Sequence, residues 1–573
     1  MNNKQLADKL TLIADLLEIK GEVIFKIRAY QRAAESLVNL GRDASELASE
    51  GTLMDVPGIG KAIAEKIQEL LATGKLEFLE KLSQEVPPSL VSMLQIPDMG
   101  PKKVALVWKQ LNLTTVEELE AAARAGKLRD LPGMGEKSES KILAGIESLK
   151  RRSGRTPLGV ILQFVESLIT DLQAVPGVYQ VAPAGSIRRR RSTVGDVDLL
   201  VSTDDSQAVM RAFVSLPSVV MVIGQGSTKS SVEFSNGVRA QLWAHPKNRF
   251  GTALQYATGS KEHNVQLREY ALSKKLSLSE RAFVTSTGDE ITCDTEEKVY
   301  ETLGLPWIPP ELREGRGEIQ AAKNGTLPRL IGTSDIVSEL HTHSTWSDGR
   351  VTMREMVQAA VEGGYKILAI TDHSHSLGIV QGVKPEDLPS QRREIDQLRN
   401  EFGDQITILH GVEMEIKADG SLDYPDDILA WLDIVIASLH VSLRQPRQQV
   451  TQRVLNAVQN PHVDIIGHPT GRLLPDREGA DLDMAEILKA SAEFGVALEI
   501  NANPNRLDLD DVFARQAMEI GIPLSINTDA HHPDHLAYLS YGVGVARRAW
   551  VQPAQVLNCW SPADLLQWLK KRS

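Results

Sequence analysis

Residues 337–343 read VSELHTH, residues 366–373 read KILAITDH and residues 463–468 read VDIIGH. In each, an apolar run of strand length ends at a histidine. ITILHGVE (406–413), LDIVIASLH (432–440) and PLSINTDAH (523–531) repeat the pattern, the first closing on Glu413. A seventh run, VALEIN (496–501), ends without a histidine. Each is rich in Ile, Val and Leu, and helical-period sequence separates them. Strand–helix alternation implies a parallel sheet, and about seven units suggest a closed barrel. Side chains at the C-terminal ends of such strands converge on one mouth, where these barrels carry chemistry.

Of the 13 histidines, all but His245 and His263 lie from His341 onward. A single histidine at a strand end is most simply a satisfied polar group. Six clusters at six strand ends point instead to metal binding. The candidates are His341, His343, Asp348, His373, Glu413, His440, His468, Asp529 and His531. Imidazoles and carboxylates without thiolates suit Zn, Mn or Fe. Nine ligands exceed the capacity of one tetrahedral ion, so about two to three ions sharing carboxylates are expected. Clustered ions lower the pKa of bound water toward about 7 and clamp phosphoryl oxygens, which points to phosphoester hydrolysis.

HTHSxxSDG, TDHS, GHPTGR and TDAH resemble the motifs of the PHP (polymerase and histidinol phosphatase) domain over about residues 335–573. The resemblance implies a distorted seven-unit barrel in which those nine residues hold a trinuclear centre. Asp372 would orient its neighbours rather than bind an ion. His375, His410, His462, His532 and His535 fall outside the motif and are expected to be structural or on the surface.

The whole chain, 573 residues with formal net charge −12, is long enough for several domains. The start, MNNKQLADKL, is polar, and the longest apolar stretch, ILAWLDIVIASL, is interrupted by Asp433. Cys293 and Cys559 make no disulfide framework. A soluble, cytoplasmic monomer without membrane contact is expected. The acidic balance does not exclude nucleic acid, because KRRSGR (150–155) and RRRR (188–191) concentrate positive charge.

Three segments at the front repeat one pattern: VPGIGKAIAEKI (56–67), IPDMGPKKVALVW (96–108) and LPGMGEKSESKIL (131–143). A glycine turn leading into a helix lets backbone N–H groups approach a phosphate. Gly58, Gly60, Gly133 and Gly135 are the turn glycines. This is the helix-hairpin-helix pattern, a grip on DNA backbone independent of base sequence. Asp98 replaces a glycine in the middle copy and should weaken that grip. KIRAY (26–30) followed by GIGKAIAEKI resembles the lyase domain of DNA polymerase beta and its relatives. The resemblance implies Lys66 as the Schiff-base lysine and Lys26 and Tyr30 as phosphate-pocket residues. One pocket lysine is replaced by Ala62. A lysine becomes nucleophilic only where burial or neighbouring cations, such as Lys61, lower its pKa.

Residues 184–201, AGSIRRRRSTVGDVDLLV, carry Gly185-Ser186 and then Gly195-Asp196-Val197-Asp198, a nucleotidyltransferase signature. The period of two puts Asp196 and Asp198 on one strand face, where they could bind Mg or Mn ions across a transferring phosphoryl group. Gly185, Ser186, Gly195 and Arg189 would hold the triphosphate of a deoxynucleotide. YATGSKEHN (256–264) with Arg268 resembles the nucleotide and minor-groove segment of family X DNA polymerases, implying roles for Tyr256, Gly259, Asn264 and Arg268. That family has a third catalytic Asp two residues after an Arg. Here Arg239 is followed by Gln241, Trp243 stands where an Arg is usual, and Ala257 where a Phe is usual. Glu233 is the nearby carboxylate.

The resemblance over the whole chain is to bacterial family X polymerases fused to a PHP domain. The expected layout is a helical lyase-like domain (1–90), a helix-hairpin-helix fingers region (91–155), an α+β palm and thumb (156–316), a linker (317–334) and a (β/α)7 barrel (335–573). The expected role is DNA repair on gapped or 3′-end substrates: a Mn- or Zn-dependent 3′-5′ exonuclease in the barrel and a gap-filling polymerase core weakened at Gln241. A phosphatase for a small metabolite and a non-catalytic DNA-end scaffold are the rivals.

Overall fold

The computed structural model describes every residue except 2, 39, 41, 42, 97, 98, 152, 153, 378, 379 and 573, with backbone alone for 144, 147–151, 571 and 572. Asp98 and part of the basic run at 150–155 lie outside the described residues. The seven apolar runs form seven strands: β1 (Ser338–Thr342), β2 (Ile367–Ile370), β3 (Thr407–Glu415), β4 (Ile434–Ser438), β5 (Ile465–Gly467), β6 (Ala497–Asn501) and β7 (Leu524–Asn527). They pair in sequence order as one seven-stranded sheet, and each neighbouring pair is parallel. The sheet curls until its edges meet. Thr342 bridges Ala530 in parallel fashion, and the His343 N–H donates to the Ala530 carbonyl at 2.9 Å.

The runs are continuous rather than alternating because both faces of each strand are buried. Leu340, Ile367, Ala369, Leu409, Ile434, Ile436, Ile465 and Ala497 pack with Leu557, Leu565 and Leu569 from the C-terminal segment. Intervening residues such as Leu368, Ile370, Val412, Val435 and Leu498 join a second cluster with the helices, including Met356, Ile395, Val454 and Ile487. Burying each such side chain contributes about 1.5–3 kcal/mol, so this layer fixes the strand ends that carry the polar residues. β3 runs two residues past Glu413, to Glu415, so Glu413 lies within the strand.

The chain divides into two compact units. The first comprises residues 1–154 with 214–225 and 230–240; the second comprises 155–213 with 226–229 and 241–573. In the first unit, Leu10, Ile13, Leu17, Ile67, Leu70, Val104, Val107, Ile142 and Ile146 share one apolar cluster. The three repeats therefore decorate a single helical core. Gly60, Gly100 and Gly135 immediately precede helices Lys61–Thr73, Pro101–Leu111 and Glu136–Arg151. Gly58 and Gly133 adopt φ of +91° and +74°, which the turn requires and a side chain disfavours.

In the second unit, strands Val178–Pro183 and Val197–Thr203 pair antiparallel. Helices Phe250–Thr258, Lys261–Ser273 and Glu296–Thr302 follow. Buried Glu296 binds Arg188 at 2.7 Å, Arg313 at 2.5 Å and the Trp307 indole N–H at 2.8 Å. Burial works against its charge, but Arg313 and Arg188 outweigh that and hold it far below the usual carboxylate range.

A second buried network joins this part of the unit to the barrel. Glu314 accepts from Arg189 Nε at 2.9 Å, Arg191 Nη1 at 3.2 Å and Arg548 Nη1 at 2.8 Å. Arg548, on the helix Leu539–Arg548, also donates to the Arg189 carbonyl at 2.8 Å and to Asp511 at 2.9 Å. Asp511 in turn receives Arg316 at 2.8 Å. Burial opposes the charge on Glu314, yet the three arginines draw its pKa down to about 2. Close packing accompanies these ion pairs: a Cβ on Gly159 would overlap the Pro504 ring. Arg548→Met should destabilise the protein by about 3 kcal/mol, the lower end of the range for breaking a buried pair, because Arg189, Arg191 and Arg316 retain part of the neutralisation. Denaturant unfolding checks this; an unchanged midpoint would show the network to be dispensable.

Candidate functional site

All nine residues expected at the mouth of the barrel meet there. Three groups of nitrogen and carboxylate donors form, each with its ligand atoms within 4.8 Å of one another: His343, Asp348, His373 and His531; His341, His343, Glu413 and Asp529; His373, Glu413 and His440. Glu413 is the hub. Its Oε2 lies 2.9 Å from His373 Nδ1, 3.3 Å from His341 Nε2 and 3.5 Å from His343 Nε2. Its Oε1 lies 2.8 Å from His468 Nε2 and 3.2 Å from His440 Nε2. Asp529 Oδ1 approaches His343 Nε2 at 3.1 Å and His531 Nδ1 at 3.6 Å. Asp348 reaches His531 Nε2 at 3.2 Å and His373 Nε2 at 3.7 Å.

Such crowding tests whether the site suits cations. His341 Nε2, His343 Nδ1, His373 Nδ1, His468 Nδ1 and Glu413 Oε2 are buried without a hydrogen-bond partner among the described residues. Orphaned buried polar atoms are costly in an apolar interior, and five in one mouth imply another partner. The protonation pattern agrees. Burial lowers His343 to about 3, with His531 and His373 adding repulsion. Burial also opposes charge on His440, but Glu413 and Glu415 raise it to about 9. His343, held neutral, beside Glu413 and Asp529, held ionised, suits a divalent cation, and His440 would give up its proton where one binds.

The supporting residues include several that sequence reasoning missed. Glu499 on β6 takes the Nδ1 side of His341 at 2.8 Å. Glu415 on β3 takes the Nδ1 side of His440 at 2.7 Å. Each fixes the tautomer and aims Nε2 at the centre. Asn501 donates to Asp529 Oδ2 at 3.1 Å. Buried Glu339, raised to about 7 by desolvation, accepts the His341 N–H at 3.1 Å. The available signal was an acid inside an apolar strand, as in VALEIN and GVEMEI, which must have a partner to be buried. Asp372 behaves as expected: it accepts Ser344 N–H and Ser347 Oγ, both at 2.7 Å, and so braces the turn that carries Asp348. His410 lies beneath the mouth, bonded to Gln391 at 2.9 Å and lowered by burial to about 3.

In the second unit, Asp196 sits in the bend just before strand Val197–Thr203, rather than in it. Asp198 packs over Gly185, whose φ is +56° and whose absent side chain makes room for the carboxylate. Burial, then the charge of Asp196, raises Asp198 to about 6. Two carboxylates that resist joint ionisation suit a cation between them. Ser186 belongs to the short helix Gly185–Arg188, and Gly195 to the bend beside Asp196. Arg189, expected as a triphosphate clamp, already has partners within the protein. Its guanidinium is engaged by Glu314 and by the Thr258 carbonyl at 2.5 Å. The pull of a buried carboxylate, invisible in the local motif, accounts for this.

Gln241 shares a strand face with Arg239 and Trp243 by alternation. Trp243 lies 6.2 Å from the Tyr256 ring, Lys229 stands over Trp243 at 4.6 Å and Arg268 over Tyr256 at 5.1 Å. Asn264 instead spans Gln255 and the Tyr256 carbonyl, both at 2.8 Å. Gly259 has φ +69° and abuts Arg189. Within the first unit, Lys66 and Lys26 stand over one ring, Phe78, at 5.0 and 5.7 Å, and Tyr30 stacks on it at 6.1 Å. Buried Glu233 is 3.4 Å from Arg239 and so is already occupied.

Removing an orienting carboxylate should loosen the mouth. Glu499→Ala is expected to weaken divalent-metal affinity about 10–100-fold, read by competitive chelator titration. Unchanged affinity would mean that His341 needs no such partner.

Family models match four segments: a helix-hairpin-helix domain at 1–76, a SAM-like helix-hairpin-helix tandem at 91–148, a DNA polymerase beta thumb at 253–314 and a PHP domain at 339–503. A DNA polymerase/3′-5′ exonuclease PolX of Bacillus subtilis (strain 168) is 39% identical over 576 residues, covering 100% of both chains. A protein of Thermoanaerobacter sp. (strain X514) named as a probable phosphatase is 31% identical over 236 residues, 39% of this chain and 90% of that protein. One from Shewanella sediminis (strain HAW-EB3), also named as a probable phosphatase, is 29% identical over 245 residues, 41% of this chain and 94% of its own. The phosphatase relatives match about two-fifths of the chain, whereas the Bacillus relative matches from end to end. With hairpin repeats, thumb and barrel in one chain, this protein belongs to the family of PolX-type DNA polymerase/3′-5′ exonucleases.

Proposed function

We propose that this chain is a DNA-repair enzyme whose barrel trims DNA 3′ ends by phosphodiester hydrolysis and whose palm extends them in gaps, the second activity being weak. The observation that carries the reading is the convergence of nine nitrogen and carboxylate donors at one mouth, five of them imidazoles around Glu413, within a chain that also carries helix-hairpin-helix repeats. His341, His343, Asp348, His373, Glu413, His440, His468, Asp529 and His531 would hold two to three Mn or Zn ions. Such ions supply a water of lowered pKa and neutralise charge on phosphoryl oxygens when bound. The protein's part is to fix the donors: Glu499 and Glu415 lock two imidazoles, and the carboxylate of Glu413 lies where two donor groups share it.

The hairpin glycines Gly58, Gly60, Gly133 and Gly135 would grip DNA backbone through helix N-termini. Lys66, beside Lys26 and Phe78, is the candidate for the lyase step. A phosphatase acting on a small metabolite would not need this array. Chelation should abolish shortening of a gapped, 3′-labelled DNA incubated with Mn²⁺, and His341→Ala/His343→Ala should do the same while leaving DNA binding intact. Persistent digestion by that double variant would remove the barrel as the nuclease.

For extension, Asp196 and Asp198 would hold Mg or Mn at the nucleotide phosphates. Gln241 is neutral, so it cannot take the primer hydroxyl's proton, and Glu233 is tied to Arg239. In a His341→Ala/His343→Ala background, Gln241→Asp should raise gap-filling rates by part of the about 10²–10⁴-fold that a positioned base supplies. Recovery should be incomplete, because Trp243 and Ala257 also reshape the pocket. Primer extension that runs equally fast with and without the Gln241→Asp change would show that this position is not the defect.

A further inference from the structure

The loop after β6 carries a cation, Arg506, beside the donor groups of the mouth. Arg506 has a side chain only 14% exposed, and its Nε lies 3.5 Å from Asp529 Oδ2, the oxygen turned away from His343. Its Nη1 is buried and has no hydrogen-bond partner among the described residues. The loop that presents it is pinned: the Arg506 N–H donates to the Asn503 carbonyl at 2.7 Å, and its own carbonyl accepts Arg472 Nε at 2.9 Å. Asn501 N–H donates to the Asp508 carbonyl at 2.6 Å, and Asp508 Oδ2 accepts both the N–H and the hydroxyl of Thr470 at 3.0 Å. Arg477 is near enough for the two positive charges to repel: burial, then Arg506, lowers its pKa.

A fixed guanidinium beside a cation site is unfavourable unless an anion lies between them. One long ion pair with Asp529 does not satisfy a group with five N–H donors. The matching partner is a phosphoryl oxygen, which guanidinium forks bind with charge-assisted hydrogen bonds. We propose that Arg506 is a phosphate-binding catalytic residue, donating from its terminal N–H groups to a non-bridging oxygen of the scissile phosphodiester as negative charge builds there. This rests on the reading of the barrel as a phosphodiesterase. It assigns the anion contact to a residue outside the nine donors.

The experiment compares wild-type, Arg506→Gln and Arg506→Lys full-length proteins in three measurements: bound metal by elemental analysis, affinity for inorganic phosphate by calorimetry, and kcat/KM for trimming a 3′-labelled DNA. Arg506→Gln should keep its metal, bind phosphate about tenfold or more weakly, as for loss of one charge-assisted hydrogen bond, and lose about 10²–10³ in kcat/KM. Arg506→Lys should fall between, and added guanidinium should partly rescue the Gln variant. Phosphate affinity and trimming equal to wild type would overturn the assignment. So would lost metal with unchanged phosphate affinity, which would make Arg506 a positioning residue for Asp529. If wild-type protein trims no DNA, the nuclease reading fails, while the phosphate affinities still decide whether Arg506 is the anion contact.

Discussion

Everything at the barrel mouth depends on one buried carboxylate. Glu413 is 1% exposed, yet stays ionised because five imidazoles surround it. A carboxylate taken out of water is tolerated only when paired and hydrogen-bonded. Burial, opposed chiefly by His373, His440 and His341, leaves Glu413 well below the usual carboxylate range. The same imidazoles are themselves buried, and some keep an unpartnered nitrogen. The strand lengths, the apolar layers on both faces and the outer carboxylates all hold this arrangement in place against its own repulsions.

The barrel was legible in the sequence because parallel strands buried on both faces leave continuous apolar runs, and the motif histidines stand at or just beyond their ends. Even VALEIN, without a histidine, has the composition of a buried strand. Glu415 and Glu499 were not legible, because their roles come from neighbours 25 and 158 residues away in sequence. The hairpin glycines were read from local chemistry, and φ of +91° at Gly58 gives that reading its physical basis. Arg189 shows the limit of motif reading. Its triphosphate role was inferred from a signature, but Glu314, 125 residues later, sets where its guanidinium points.

The palm illustrates how one neutral substitution alters its surroundings. Gln241 stands beside an aromatic and cationic column of Lys229, Trp243, Tyr256 and Arg268. Lys229 occupies one face of Trp243, and an arginine in place of the tryptophan would add a planar charge there. Asp198, raised toward neutrality, is the acid there that most needs a counter-ion.

The hydrogen bond from Arg548 to the Arg189 carbonyl makes the barrel a brace for the backbone just after the glycine-serine turn. A chain cut after the thumb would leave Glu314 with two arginines in place of three and leave that carbonyl without its donor. Loss of nucleotide addition by an isolated core would then report the missing brace rather than any assistance from the hydrolytic site. The same contact constrains exchange: a barrel swapped in from elsewhere would have to bring its own Arg548 and Asp511 equivalents to keep the brace.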